Sequence, residues 1–121
     1  MAGLCWKASL ISFKFLGSGG SGSISDALLA FQKIKELNDA GHNIRVTSNS
    51  WGGGGYLQAF KDAMEALGPD TINVFAAGNS YSDADVTPHY PGSYDSPNSL
   101  TVSATDFLDE SAVFTTYGLA S

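Results

Sequence analysis

Charged residues are scarce in this sequence, and the basic ones are the scarcest. Only 15% of the 121 residues are charged, and six Lys and Arg stand against twelve Asp and Glu, which gives a net charge of −6 at pH 7. A nucleic-acid-binding surface needs a concentration of basic side chains that this composition cannot supply. The sequence therefore predicts no nucleic-acid partner.

Cysteine and long apolar runs are also scarce. Cys5 is the one cysteine, so the sequence holds no internal disulfide and no cysteine cluster for a metal; we expect Cys5 to be a small buried hydrophobic residue. No apolar run approaches the roughly 20 residues that span a bilayer, so no membrane association is predicted. The largely apolar residues 8–13 are flanked by Lys7 and Lys14, so the segment lacks the long hydrophobic region of a signal peptide.

Apolar residues, at 43%, and fourteen glycines favour a well-buried sheet with tight turns. Two helices are predicted, one that begins near the capping oxygens of Ser23 and Ser25 and stops at Gly41, and one that stops at Gly68. Their apolar positions recur at helical spacing. Strands are predicted for residues 8–16, 44–47, 72–76, 100–104 and 112–115.

The first three strands alternate with the two helices, and a β-α-β-α-β order favours a parallel sheet in an α/β fold. Three loops of small residues would then leave the same edge of the sheet: residues 17–22, 50–55 and 77–79. Glycine lets another backbone approach closely, so an extended peptide could pair with these loops strand to strand.

Asn79 would lie just past the carboxyl end of the strand formed by residues 72–76. A fixed amide N–H at that edge could meet an oxyanion. Gly78 and Asn79 both tolerate positive φ, so the pair could equally be only a turn.

Residues 17–22 also fit the pattern G-x-G-x-x-G, which leaves an anion- or nucleotide-binding module as an alternative. The loop lacks the Gly-Lys-Ser/Thr ending of a phosphate-binding Walker loop. The acidic residues that follow, Glu36 and Asp39, fall inside a predicted helix rather than at the end of a strand.

Five motifs in register resemble the middle of the subtilisin-like serine protease (subtilase) family. Their order and approximate spacing match over nearly the whole chain. They are Lys14-Phe15-Leu16 with Gly20-Ser21-Gly22, Asn49-Ser50-Trp51-Gly52-Gly53, Ala76-Ala77-Gly78-Asn79, Tyr90-Pro91-Gly92-Ser93-Tyr94, and Val102-Ser103-Ala104-Thr105-Asp106 with Phe114-Thr115-Thr116-Tyr117-Gly118.

The resemblance implies an α/β fold, a three-layer sandwich around a parallel sheet, of which residues 1–121 would be an incomplete part. It also implies a serine endopeptidase whose peptide substrate lies as a middle strand between two backbone edges. Asn79 would donate its side-chain amide to the oxyanion of the tetrahedral intermediate. The edges would be Gly20, Ser21 and Gly22 on one side and Ser50, Trp51 and Gly52 on the other, and Ala76, Ala77 and Gly78 would form part of the wall of the first specificity pocket.

Two further features follow from the resemblance. The bond between Tyr90 and Pro91 is expected to be cis. The carbonyl groups near Gly92 and Tyr94 resemble a weak site for Ca²⁺ or Na⁺, and the family often binds Ca²⁺, although residues 95–98 depart from the family pattern. No other cofactor is predicted for this chain.

The catalytic triad of the family is not expected within this chain. His42 and His89 do not stand in a His-Gly-Thr motif and are predicted to lie on the surface, and no serine follows Gly-Thr. We expect a fragment whose Asp and His lie upstream and whose Ser lies downstream, and which is inactive alone; the alternative is a non-catalytic peptide-binding module. The sequence does not determine localisation. The low cysteine content, and what is usual in the family that the chain resembles, are compatible with export of the parent protein.

Overall fold

The computed structural model describes residues 4–118; the first and last three residues of the predicted domain lie outside this range. Two helices and three strands form the described part. In chain order they are α1 (Ile24–Asp39), β1 (Val46–Asn49), α2 (Gln58–Glu65), β2 (Ile72–Ala76) and β3 (Ser99–Val102).

Both helices lie where the sequence predicts them. Ser23 caps α1, because its hydroxyl accepts a hydrogen bond from the Asp26 N–H at 3.1 Å. Past the end of α1, Gly41 takes the positive φ of +91° that glycine tolerates best. Helix α2 has no side-chain cap of its own. Its first turn is held instead by the hydroxyl of Tyr94, which accepts from the Leu57 N–H at 2.9 Å.

The sheet has the order β1-β2-β3, and both pairs are parallel. Strand β2 spans the predicted residues 72–76, whereas β1 begins two residues later than predicted and β3 ends two residues earlier. The helices cover one face of the sheet, where Phe75 packs in a core with residues of α1 and α2. This core comprises Ala27, Phe31, Ile34, Phe60, Met64, Leu67, Phe75 and Tyr94.

The opposite face of the sheet carries apolar side chains that remain exposed. Val46, Ile72, Leu100 and Val102 are 48 to 56% exposed, and the strand register brings them together on that face. The described residues thus form two layers, a parallel sheet and one layer of helices, which agrees with the predicted incomplete α/β sandwich. No helix in residues 4–118 is long and apolar enough to cross a membrane.

Two predicted strands are wrong. Residues 8–16 and 112–115 form no strand. The first segment makes no backbone hydrogen bond to a neighbouring segment. In the second, the Ala112 N–H donates to the Ala104 oxygen and the Phe114 oxygen accepts from the Tyr81 N–H, so its bonds go to two different segments and no ladder of a strand pair forms. The side chains of residues 13–15 nevertheless alternate between the core and the solvent: Phe13 and Phe15 pack against the core, and Lys14 is exposed. The expected burial of Cys5 is also wrong: it is exposed, because the chain before Phe13 does not pack on the core.

Candidate functional site

A cavity of about 360 Å³ lies between the first two glycine-rich loops of the chain. Gly20, Ser21 and Gly22 line one side. Ser50, Trp51 and Gly52 line the other, together with Gly53, Gly54 and Gly55. The floor is aromatic, from Phe15, Tyr90 and Tyr94. The structure therefore brings together the two segments that the sequence singled out as edges.

The backbone of each segment has groups available for pairing. Among the described residues, neither Gly22 nor Gly52 makes a backbone hydrogen bond. Their neighbours are held in place, since the Gly17 N–H donates to the Ser21 oxygen at 2.9 Å and the Gly53 N–H donates to the Tyr90 oxygen at 3.1 Å. Two fixed loops with unpaired peptide groups beside a cavity form edges that an added strand could use.

Trp51 is tied to the buried face of the sheet by a chain of hydrogen bonds. Its indole N–H donates to Asn49 Oδ1 at 3.3 Å, and Asn49 Nδ2 donates to Thr47 Oγ1 at 2.8 Å. The Thr47 hydroxyl in turn donates to Asn73 Oδ1 at 2.8 Å. Because Thr47, Asn49 and Asn73 are buried, the carboxyl end of β1 fixes the orientation of the Trp51 ring.

Aromatic contacts complete the support of the cavity. The ring of Phe15 meets Trp51 edge-on with centroids 5.0 Å apart, and the Tyr90 and Tyr94 rings lie 4.7 Å apart. Burial raises the pKa of the Tyr94 hydroxyl above its ordinary value of 10.0, the backbone hydrogen bond with Leu57 opposes this, and Tyr90 and Tyr56 add smaller increases. Tyr94 is therefore neutral at pH 7 and serves as a donor to the Leu57 oxygen, at 3.1 Å.

Asn79 lies at the carboxyl end of β2, as the sequence predicts, and its side chain is exposed. Its amide makes no hydrogen bond to the described residues. The turn that carries it is fixed by the fully buried Thr116, whose N–H donates to the Gly78 oxygen at 3.0 Å and whose hydroxyl accepts from the Ser80 N–H at 3.3 Å. A rigid turn thus presents a free amide at this edge of the sheet.

The three residues before Asn79 do not line the cavity. Ala77 is buried, and its N–H donates to the Val102 oxygen at 3.0 Å. Ala76 is exposed and Gly78 is half-buried, so these two are the accessible members of the predicted pocket wall.

His89 was predicted to lie on the surface; it is half-buried, and it lies between this wall and the loop of residues 50–55. A Cβ atom built on Gly52 would lie 2.5 Å from His89 Nε2, and one built on Gly78 would lie 2.9 Å from His89 Cδ2. The same edge of the imidazole ring therefore stands between both glycines. No sequence signal indicates this, because contacts between residues so distant along the chain depend on the tertiary fold. His42 is exposed, as predicted.

The bond between Tyr90 and Pro91 is cis, as the resemblance implies. The carbonyls of the predicted cation site both accept hydrogen bonds, that of Gly92 from the Thr101 hydroxyl and that of Tyr94 from the Ser99 hydroxyl. In residues 4–118 no cluster of three or more His, Cys, Asp or Glu could hold an ion. Two carbonyls that are already hydrogen-bonded supply little of the shell of about six to eight oxygens that Ca²⁺ takes.

In the loop of residues 17–22, backbone N–H groups that could bind an anion are already hydrogen-bonded within the loop. The N–H groups of Gly17 and Gly20 both donate within the loop, and the start of α1 carries Ser23 as a cap and the acidic Asp26. A phosphate site at a helix start needs free N–H groups and an absence of negative charge. The loop is therefore poorly suited to the nucleotide-binding alternative.

Comparison with known proteins gives a consistent result. The family model described as "Subtilase family" matches residues 1–121. The chain is 34% identical to the subtilisin-like serine protease Pen ch 13 of Penicillium rubens and 35% identical to alkaline protease 1 of Aspergillus oryzae, each over 118 residues. These alignments include 96% of this chain but only 29% and 28% of the two relatives.

A solved structure gives the same result for the fold. The crystal structure of a cold-adapted subtilisin-like serine proteinase superposes with a TM-score of 0.72 at 25% sequence identity, over 88% of this chain and 37% of that one. The chain thus spans under two fifths of the length of each of these three proteins. Because the family model matches residues 1–121 of the chain, this chain belongs to the subtilase family.

Proposed function

We propose that this chain supplies the substrate groove and one oxyanion donor of a subtilisin-like serine endopeptidase. The proposal rests on the cavity between Gly22 and Gly52. Among the described residues, the backbone groups of both glycines make no hydrogen bond, so they are available to a bound peptide. An extended peptide would lie between these edges as a middle strand. Gly20, Ser21, Ser50 and Trp51 would extend the two edges.

Asn79 would act at the reacting carbonyl of that peptide. When a nucleophile attacks, the carbonyl oxygen gains negative charge, and a donor already fixed in place stabilises that charge without reorganisation. The Asn79 amide has no competing hydrogen bond to the described residues, and Thr116 holds its turn. Ala76, Ala77 and Gly78 would form the adjacent part of the specificity pocket.

The nucleophile and the base would come from other parts of the parent protein. Neither histidine stands in the family's histidine motif, and no serine follows Gly-Thr in the sequence. Hydrolysis by the proposed mechanism needs all three members of a Ser-His-Asp triad. No ion near Gly92 and Tyr94 enters this mechanism, and both that ion and export of the parent stay predictions.

Peptide hydrolysis tests the proposal. The full-length gene product should cleave a chromogenic peptide p-nitroanilide, and a serine-directed inhibitor should abolish the cleavage. The isolated 121 residues should release no more product than buffer does. Hydrolysis by the isolated chain that the inhibitor blocks would contradict the divided triad.

The alternative is a non-catalytic peptide-binding module, which the same groove would serve. A full-length product that binds the uncleaved peptide with saturation yet never hydrolyses it would favour this alternative. Absence of both binding and hydrolysis would count against either function.

A further inference from the structure

Two neighbouring apolar side chains stand in solvent on a turn beyond the carboxyl end of β3. Phe107 is 92% exposed and Leu108 is 64% exposed, and neither packs against the hydrophobic core of the described residues. A single exposed apolar residue is ordinary, whereas two large ones side by side leave enough apolar surface in water to indicate a contact site. The turn of residues 106–110 is therefore a candidate interaction surface.

Hydrogen bonds fix the conformation of the 106–110 turn. The Asp106 N–H donates to the Glu110 oxygen at 2.8 Å, and Asp106 Oδ1 accepts from the N–H groups of Leu108 and Glu110 at 2.8 and 3.1 Å. Just outside the turn, the Ala112 N–H donates to the Ala104 oxygen at 3.0 Å. Because the backbone is already ordered, a partner that binds the two apolar side chains need not supply the free energy of ordering it.

The half of the chain that carries this turn has no basic side chain other than histidine. Residues 62–121 contain nine Asp and Glu and no Lys or Arg. Asp109 and Glu110 are exposed, and neither carboxylate forms a salt bridge with a described residue. A second copy of this chain, with a net charge of −6, would be repelled. The partner that complements this surface is therefore basic.

The uncovered face of the sheet differs from this turn in its charge. Strands β1, β2 and β3 contain no charged residue, so the face that carries Val46, Ile72 and Leu100 suits the interior of a larger domain. Covering the 106–110 turn with apolar residues in the same way would bury its carboxylates without partners, which is strongly unfavourable. An apolar centre with a charged border is instead the arrangement of an interface with another protein.

We propose that the 106–110 turn docks onto a basic amphipathic helix of another protein. A helix with an apolar stripe between rows of Lys or Arg offers both holes for Phe107 and Leu108 and cations for Asp109 and Glu110. Two side chains bury less than the roughly 1,200–2,000 Å² of a stable interface, so the contact is weak and salt reduces it further. The inference goes beyond the proposed peptide groove, because none of these residues lines the cavity.

The test uses a fluorescein-labelled helical peptide of leucine and lysine, with its leucines along one face. The full-length gene product is titrated into it with a serine-directed inhibitor present to prevent cleavage, and fluorescence anisotropy should show saturable binding. Phe107→Ser with Leu108→Ser should weaken this binding by about tenfold or more, because two apolar side chains no longer leave water. Asp109→Asn with Glu110→Gln should weaken it by about threefold or more in low salt and hardly at all in about 1 M NaCl, where the charges are screened.

Each pair of substitutions has a control pair. Leu29→Ser with Val86→Ser removes two exposed apolar side chains outside the turn. Asp70→Asn with Asp95→Asn removes two exposed carboxylates from residues that precede β2 and β3, whereas the turn follows β3. Neither control pair should change the affinity by more than about twofold. Thermal melting identifies a pair that fails to fold, and its single substitutions then replace it.

Several results would overturn the proposal. One is a wild type that does not bind the peptide, and another is an affinity that the two serine substitutions in the turn leave unchanged. Equal binding of a peptide of leucine and glutamate would exclude a basic partner. Binding to phosphatidylcholine vesicles that depends on Phe107 and Leu108, without such binding to the peptide, would assign the turn to a lipid surface. Peptide hydrolysis should be the same in the turn variants as in the wild type, so loss of docking and failure of the proposed function are separate results.

A labelling experiment tests whether another part of the parent protein covers the turn instead. Phe107→Cys in a Cys5→Ser background should react with a maleimide as fast in the folded full-length product as in urea, and the Cys5→Ser protein gives the background rate. Labelling that is slow until urea is added would show that the parent itself occupies the turn, and would overturn the proposal.

Discussion

The Nε2 atom of His89 lies 2.5 Å from the point where a Cβ atom on Gly52 would stand. Because His89 also contacts the Cβ position of Gly78, one side chain joins the loop after β1 to the turn after β2. From the sequence, the loop of residues 50–55 and the turn of residues 77–79 were related only by their small residues and their places after strands. In the structure both pack against the imidazole ring of His89.

Gly52→Ala should destabilise the protein by about 1–3 kcal/mol, because the added methyl group overlaps the imidazole and forces it to move. The same change in a His89→Ala background should cost less, since the obstructing ring is gone. Urea denaturation of the four proteins of this double-mutant cycle gives the coupling. Gly54→Ala is the control, because no atom lies within 4 Å of its Cβ position; equal costs at the two glycines would contradict the contact.

In a full-length gene product that hydrolyses peptides as proposed, Asn79→Ala should lower kcat and leave KM nearly unchanged, because the proposed hydrogen bond would be made in the transition state. The expected loss of about 10²–10³ in kcat is the value known for the oxyanion-hole asparagine of subtilisin, carried over from that enzyme to this chain. Steady-state kinetics measure it, with the exposed Gln32→Ala as a control. A rise in KM at constant kcat would show that Asn79 binds the substrate before reaction instead.

Asn49→Ala should destabilise the protein by about 1–3 kcal/mol, because the Trp51 N–H and the Thr47 hydroxyl each lose a partner. Trp51 should also become more mobile and more hydrated. Its emission is isolated in a Trp6→Phe background, since Trp6 is exposed, and should shift to longer wavelength. Asn79→Ala, which removes an amide without a hydrogen bond, should alter neither stability nor emission.

Tyr94 should make stability depend on pH in the alkaline range. Its pKa is raised in the folded protein, chiefly by burial, so its contribution is complete below the unfolded value near 10.0 and is lost as the pH rises through the folded value. Denaturation from pH 8 upward should therefore show a steeper decline for the wild type than for Tyr94→Phe. Parallel declines would show that Tyr94 ionises equally easily in both states.

The isolated 121-residue chain should self-associate through the uncovered face of its sheet. Val46, Ile72 and Leu100 are about half exposed there, and apolar surface of this kind drives association. Replacing these three by threonine, which retains strand propensity, should shift the chain toward the monomer in gel filtration. Val86→Thr and Val113→Thr, at exposed positions outside the sheet, are the controls; a wild-type chain that is monomeric and melts cooperatively would contradict this prediction.

The sequence by itself determined the helices, the central strand and the family. Helical spacing of apolar residues and the Ser23 cap are local properties, so α1 and α2 appear where they are predicted. Strand β2 is equally local, because a short β-branched and aromatic run ends at small residues. The same locality explains why the turn at Gly78 and Asn79 could be recognised.

Only the tertiary structure decided which segments pair and what stands between them. Residues 8–16 alternate like a strand, yet no other segment forms backbone hydrogen bonds with them, because pairing is not encoded within a segment. His89 has no motif, so its place between Gly52 and Gly78 emerged only once the loops after β1 and β2 were folded against it. A run of glycines is a local pattern, whereas the contact of one ring with two loops depends on residues that are far apart in the chain and meet only in the folded protein.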